Sequence, residues 1–144
     1  MKKGYLYLEN GAKFIGDIET KMQKAALKIK VITDFCGYEE QIQDEKNKDA
    51  MLLFVSPTIG AVGIANPDIK PKAKAIIVRE LCHFPSNYTS KLSLLEYLDK
   101  NGVTMISDID TKAVYDSLVD GKLKALITTK ELDEKELSEI LAAV

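Results

Sequence analysis

Apolar and polar residues alternate along "GYLYLENGAKFIGDIE", Gly4 to Glu19, with Asn10-Gly11 dividing two runs. Alternation of period two predicts strands with one buried face. Asn-Gly supplies the positive φ angles of a tight hairpin turn. A third alternating run, "ALKIKVIT", spans Ala26 to Thr33. "GYEEQIQDEKN", Gly37 to Asn47, predicts a short polar helix. "MLLFVS" (Met51 to Ser56) and "AKAIIVREL" (Ala73 to Leu81) are short, apolar and partly β-branched, the pattern of buried strands. The stretch between them, "PTIGAVGIANPDIKP", is rich in glycine and proline and predicts a long loop.

The last third changes period. Ser93 with Glu96 forms a capping-box pattern ahead of Leu94, Leu95, Tyr97 and Leu98, and Gly102 stands where that helix would end. "VTMIS" predicts a strand. Asp110 begins a helix with Val114, Tyr115, Leu118 and Val119 on one face, ending near Gly121. "LKALITT" predicts another strand. Asp133 with Glu136 caps a final helix carrying Leu137, Ile140, Leu141 and Val144 at i, i+3, i+4, i+7 spacing. Strands first and strand–helix alternation afterwards imply a mixed sheet with helices packed against it, an α/β or α+β single domain over residues 1–144.

Charge narrows the function classes. The chain has 20 basic and 22 acidic residues, a net charge of −2, and no basic block that would track a phosphate backbone. Nucleic acid is therefore not the expected partner. No apolar run approaches the roughly 18 residues that span a bilayer, so no membrane partner is expected. "MKKGYLYLENG" turns polar too early for a signal peptide, so a cytoplasmic setting and two reduced thiols, Cys36 and Cys82, are expected.

Candidate chemistry is sparse. A cysteine nucleophile needs a base, and the one histidine is His83. In a continuing strand, His83 and Cys82 point to opposite faces. A Cys36–His83 dyad would require the fold to bring distant residues together. Three scattered thiol and imidazole groups lack the paired spacing of a zinc site, so no metal is expected. Asp108-x-Asp110 resembles a metal-binding pair, but Asp110 is explained as a helix N-cap. Gly60 and Gly63 could cradle an anion, although turn formation is glycine's default role. Glu39 and Glu40 are adjacent and read as a solvated face. No self-sufficient catalytic constellation is present.

Several runs nevertheless resemble one family in order and spacing. "GYEEQIQD", "SPTIGAVG", "IIVREL", "PSN", "LLEYLDKNGV" and "SDIDTKAV" resemble the small subunit of carbamoyl phosphate synthetase, and "LYLENGAKFIG" resembles that subunit's opening. The likeness covers nearly the whole chain and falls on the subunit's N-terminal domain.

The resemblance implies a swivelling β/β/α domain that packs between a glutaminase domain and the large synthetase subunit. It implies no catalysis and no cofactor for this domain alone. The partners it implies are the large subunit and, in a parent protein, a glutaminase domain carrying a Cys-His-Glu triad. The assembly would make carbamoyl phosphate for pyrimidine and arginine biosynthesis. Gly37, Tyr38, Glu40, Asp44, Pro57, Gly60, Gly63, Arg79, Asp110 and Thr111 keep the family pattern. Gly37, Tyr38, Glu40, Asp44, Gly60, Gly63, Arg79 and Asp110 are the scaffold and interface candidates. Cys36 replaces a turn threonine and reads as a small turn residue. Lys46 replaces a serine that in the family contributes to the glutamine pocket, which implies loss of that contact. Lys112 and Asp116 replace two arginines. These departures leave open a free-standing paralogue that binds a small molecule or regulates.

Overall fold

The computed structural model describes residues 2–33, 38–55, 58–59, 64–81, 93–118 and 123–144. β1 (Lys2–Leu8) and β2 (Lys13–Ile18) pair antiparallel from Lys2 opposite Ile18 to Tyr7 opposite Lys13. The turn between them forms at Asn10-Gly11, where Gly11 has φ +93° and the Asn10 side chain accepts from the Ala12 N–H at 3.0 Å. A left-handed backbone of this kind costs glycine little and other residues more.

β3 (Ala25–Ile32) changes partners along its length. Ala25 to Lys28 pair antiparallel with β9 (Lys124–Thr128), and Ile29 to Ile32 pair parallel with β4 (Met51–Phe54). β6 (Ala75–Ile77) and β8 (Thr104–Ser107) continue the parallel run. The mixed sheet closes in the order β1-β2-β8-β6-β4-β3-β9, since β9 also pairs with β1. Closure removes free sheet edges and creates an interior.

That interior holds Leu6, Leu8, Ile29, Met51, Leu53, Ile77, Ile106 and Ile127, all buried. Alternate residues of the same strands face outward and need cover. α1 (Tyr38–Gln43) and α2 (Leu94–Lys100) cover one outer wall, packing Ile42, Leu94, Tyr97 and Leu98 on Leu52, Phe54 and Ile76. α4 (Glu134–Ala142) covers another, setting Leu137 and Leu141 against Tyr5, Tyr7 and Leu126. α3 (Thr111–Ser117) adds Val114 to the interior cluster. No helix among the described residues is long and apolar enough to cross a membrane.

Three helix starts follow their sequence signals: Ser93, Asp110 and Asp133 each accept a backbone N–H three residues on, at 3.1, 3.1 and 2.8 Å. Four details differ from expectation. The segment from Ala73 to Leu81 is not one strand: it leaves the barrel after Ile77, and β7 (Glu80–Leu81) pairs with β5 (Thr58–Ile59) in a separate two-stranded parallel sheet. The exposed Arg79 marks that exit. β5 lies inside the expected loop, and pairing two residues long leaves no periodic signal. The polar segment after Gly37 divides into α1 and a 3₁₀ turn, Glu45–Asn47. α3 ends at Ser117, with Leu118 already extended and Tyr115 47% exposed, while Val119 and Gly121 lie outside the described residues. A seven-residue helix turns only one face to the barrel, and here Thr111 and Val114 fill it.

Candidate functional site

Among the described residues, the candidates fall at two places. At the carboxyl ends of β6 and β8 the backbone is drawn together: Asp108 N–H donates to Arg79 O at 2.9 Å, and Val78 N–H donates to Ile106 O at 3.0 Å. Asp108 adopts φ +58°, a left-handed conformation that aspartate tolerates better than most residues, and it reverses the chain into α3. Asp110 then caps α3, so Arg79, Asp108, Ile109 and Asp110 line a cavity of about 210 Å³. Arg79 is exposed and makes no ion pair among the described residues. The cavity therefore presents a cation and two carboxylates to solvent. Thr111, the first residue of α3, is buried.

The second place is α1. Tyr38 is half-buried against the α1–α2 wall, and Glu40 is exposed. Asp44 starts the 3₁₀ turn, accepting from the Lys46 N–H at 3.0 Å, and the Lys46 ammonium lies 3.5 Å from the same carboxylate. That backbone hydrogen bond, aided by the Lys46 charge, holds the Asp44 carboxyl below its ordinary pKa. Lys46 is exposed and engaged with Asp44. Asn47 is buried, and its amide donates to Gln41 O at 2.7 Å, tying the turn back to the helix.

Glu39 corrects the expectation of a solvated face. Its two carboxylate oxygens accept the N–H groups of Ala65 and Asn66, each at 2.9 Å. Gln43, one turn along, donates to Glu39 at 3.3 Å and to the Tyr97 hydroxyl at 3.1 Å. The Tyr97 hydroxyl donates in turn to Ile69 O at 2.5 Å. Burial pushes the Tyr97 phenol above its ordinary pKa, and the nearby Glu39 charge acts in the same direction against the Gln43 bond. The network fastens the chain from Ala65 to Ile69 onto α1 and α2. The i, i+4 spacing of Glu39 and Gln43 was the available signal, since it puts them on one helix face.

Gly37, Gly60 and Gly63 lie outside the described residues, as do Cys36, Pro57, Cys82 and His83. The structure brings Arg79 and Asp110 together, while Tyr38, Glu40, Asp44 and Lys46 share a separate segment. Among the described residues no group of three or more histidine, cysteine, aspartate or glutamate side chains is placed to hold a metal ion.

Comparison with known proteins matches residues 6–127 to the carbamoyl-phosphate synthase small chain, CPSase domain. A carbamoyl phosphate synthase small chain of Caldanaerobacter subterraneus subsp. tengcongensis is 36% identical over 141 residues, which are 95% of this chain and 40% of that protein. The arginine-specific small chain of Bacillus subtilis is 32% identical over 90% of this chain and 37% of its own length. The pyrimidine-specific small chain of Lactiplantibacillus plantarum is 33% identical over 99% of this chain and 41% of its own length. The chain thus spans about two fifths of the length of the curated relatives it matches. On these matches, the chain belongs to the family of the carbamoyl-phosphate synthase small chain, CPSase domain.

Proposed function

We propose that the chain serves as the N-terminal docking domain of a carbamoyl phosphate synthetase small subunit, a single swivelling domain that packs against the large synthetase subunit in the cytoplasm. It supports glutamine-dependent carbamoyl phosphate synthesis for pyrimidine and arginine biosynthesis and performs no chemistry itself. The observation that carries this reading is the family match over residues 6–127, combined with coverage of only about two fifths of each relative. Relatives named for both pyrimidine-specific and arginine-specific chains support the metabolic assignment.

The site geometry agrees with a scaffold. Asp44 and Asp110 spend their carboxylates on backbone N–H groups, which fixes turns rather than substrates. Lys46 holds Asp44 where the family resemblance implies a glutamine contact, which supports loss of that contact in this chain. Arg79 is exposed at the end of the parallel strands, with no ion pair among the described residues.

Titration calorimetry of the 144-residue chain with the large subunit tests the reading. Saturable one-to-one binding is expected. No heat at concentrations of tens of micromolar, together with a melting temperature raised by a small metabolite, would replace docking by the small-molecule module.

A further inference from the structure

Four lysines of this nearly neutral chain line one groove. Where β3 passes from β9 to β4, its two neighbours diverge and open a groove of about 730 Å³ along Leu27 to Lys30. Lys28, Lys30, Lys48 and Lys124 all line it, against the side-chain carboxylates of Glu9 and Asp49 and beside Val144, the last residue of the sequence; Lys30 also acts through its charge on Asp44. None of the four ammonium groups forms an ion pair among the described residues; Lys124 reaches only the Leu141 carbonyl, at 3.4 Å. Glu9 accepts the backbone N–H of Lys124 at 3.2 Å.

Lys28 and Lys124 are direct partners in the antiparallel register of β3 and β9. Like charges facing each other across a strand pair are destabilising. A solvated lysine scatter would not require that arrangement, nor converge four cations on one groove while the chain as a whole carries −2. The same unpaired cations are what an anionic surface would neutralise, and complementary charge steers association and fixes its orientation.

We infer that the groove ringed by Lys28, Lys30, Lys48 and Lys124 is the face that meets the partner, which lays a carboxylate-rich segment along β3. This rests on the docking reading above and names its surface. Acidic side chains laid along β3 would meet lysines from both walls, Lys48 ahead of β4 and Lys124 on β9.

The test measures binding of the large subunit to the 144-residue chain at low salt and near 0.15 M. Three double variants accompany the wild type: Lys28→Glu with Lys48→Glu, Lys28→Arg with Lys48→Arg, and Lys112→Glu with Lys135→Glu on exposed surfaces of α3 and α4. Circular dichroism melts establish that each is folded. The expected result is at least about a tenfold loss for the groove reversal with a flatter salt dependence, and near wild-type binding for the other two. Wild-type binding unaffected by the groove reversal overturns the inference and leaves docking intact. Absence of wild-type binding overturns docking itself. Two further outcomes also overturn the acidic segment: stabilisation by millimolar inorganic phosphate that disappears in the groove reversal assigns a small anion, and wild-type self-association that disappears there assigns a second copy of the chain.

Discussion

Lys28 stands opposite Lys124 across the antiparallel pairing of β3 and β9, two cations on the same face of the barrel with no carboxylate paired to either among the described residues. The pair disfavours the fold, so its removal has a defined sign. Lys28→Glu converts the repulsion into an attraction across the strands. We expect a gain of about 0.5–1 kcal/mol, read as a higher urea midpoint at constant slope. A lower midpoint would mean that Lys28 contributes contacts that outweigh the repulsion.

Glu39 gives the opposite case, a carboxylate whose charge is used internally. Its replacement by alanine leaves the N–H groups of Ala65 and Asn66 without their acceptor. The expected cost is about 1–3 kcal/mol. Hydrogen exchange adds a local readout: the amides of Ala65 and Asn66 should exchange faster in Glu39→Ala, while those of β6 keep their relative protection. Unchanged exchange at the two amides would show that the network does not hold the loop.

Tyr97→Phe tests the same network from the far side. It deletes one hydroxyl that donates to Ile69 and accepts from Gln43, with little change in packing. A loss of about 1–2 kcal/mol is expected. The pH dependence follows from the raised pKa. With the folded phenol harder to ionise than the unfolded one, its contribution is fully present below pH 10.0 and is lost as pH rises toward the folded value. Wild type should therefore lose stability above pH 10 more steeply than Tyr97→Phe, and equal slopes would refute the shift.

Asp44 has the reverse sign. Its folded pKa lies below the ordinary 3.8, so its contribution is present above that value and disappears as pH falls through the folded one. Asp44→Asn should flatten the acid limb below pH 3.8, seen by following the melting temperature downward in pH. An identical limb in the variant would show that the Lys46 N–H does not hold the charged form.

Gly16 marks a close backbone approach. A Cβ there would run into the Ser107 carbonyl and the Ile109 side chain, where β2 meets β8. Gly16→Ala should destabilise by about 1–3 kcal/mol. Of those two neighbours only Ile109 is a side chain that can give way, so an Ile109→Ala background should recover part of the loss and no more.

Legibility in the sequence followed distance along the chain. Asn10-Gly11, Ser93, Asp110 and Asp133 were readable because each acts on backbone within three residues. The Gln43–Tyr97 bond spans 54 residues, and the Glu39–Ala65 bond spans 26. No local pattern encodes either, so Glu39 looked like one of two solvated acids. Barrel closure was equally invisible, because the pairing of β9 with both β1 and β3 depends on strands at opposite ends of the chain. The lysine groove was hidden by averaging: residues near positions 9, 28, 48 and 124 read as evenly spread charge until the fold gathers them. The family likeness was legible through short ordered motifs, several of which the structure explains as caps and turns.

Hydrogen exchange of the 144-residue chain with and without the large subunit tests the central claim most directly. The account predicts added protection at Leu27 to Lys30 of β3 and at Lys48 to Ala50, with the α1–Ala65 network unchanged. Exchange identical throughout, at subunit concentrations of tens of micromolar, would contradict the assignment of this chain as a docking domain.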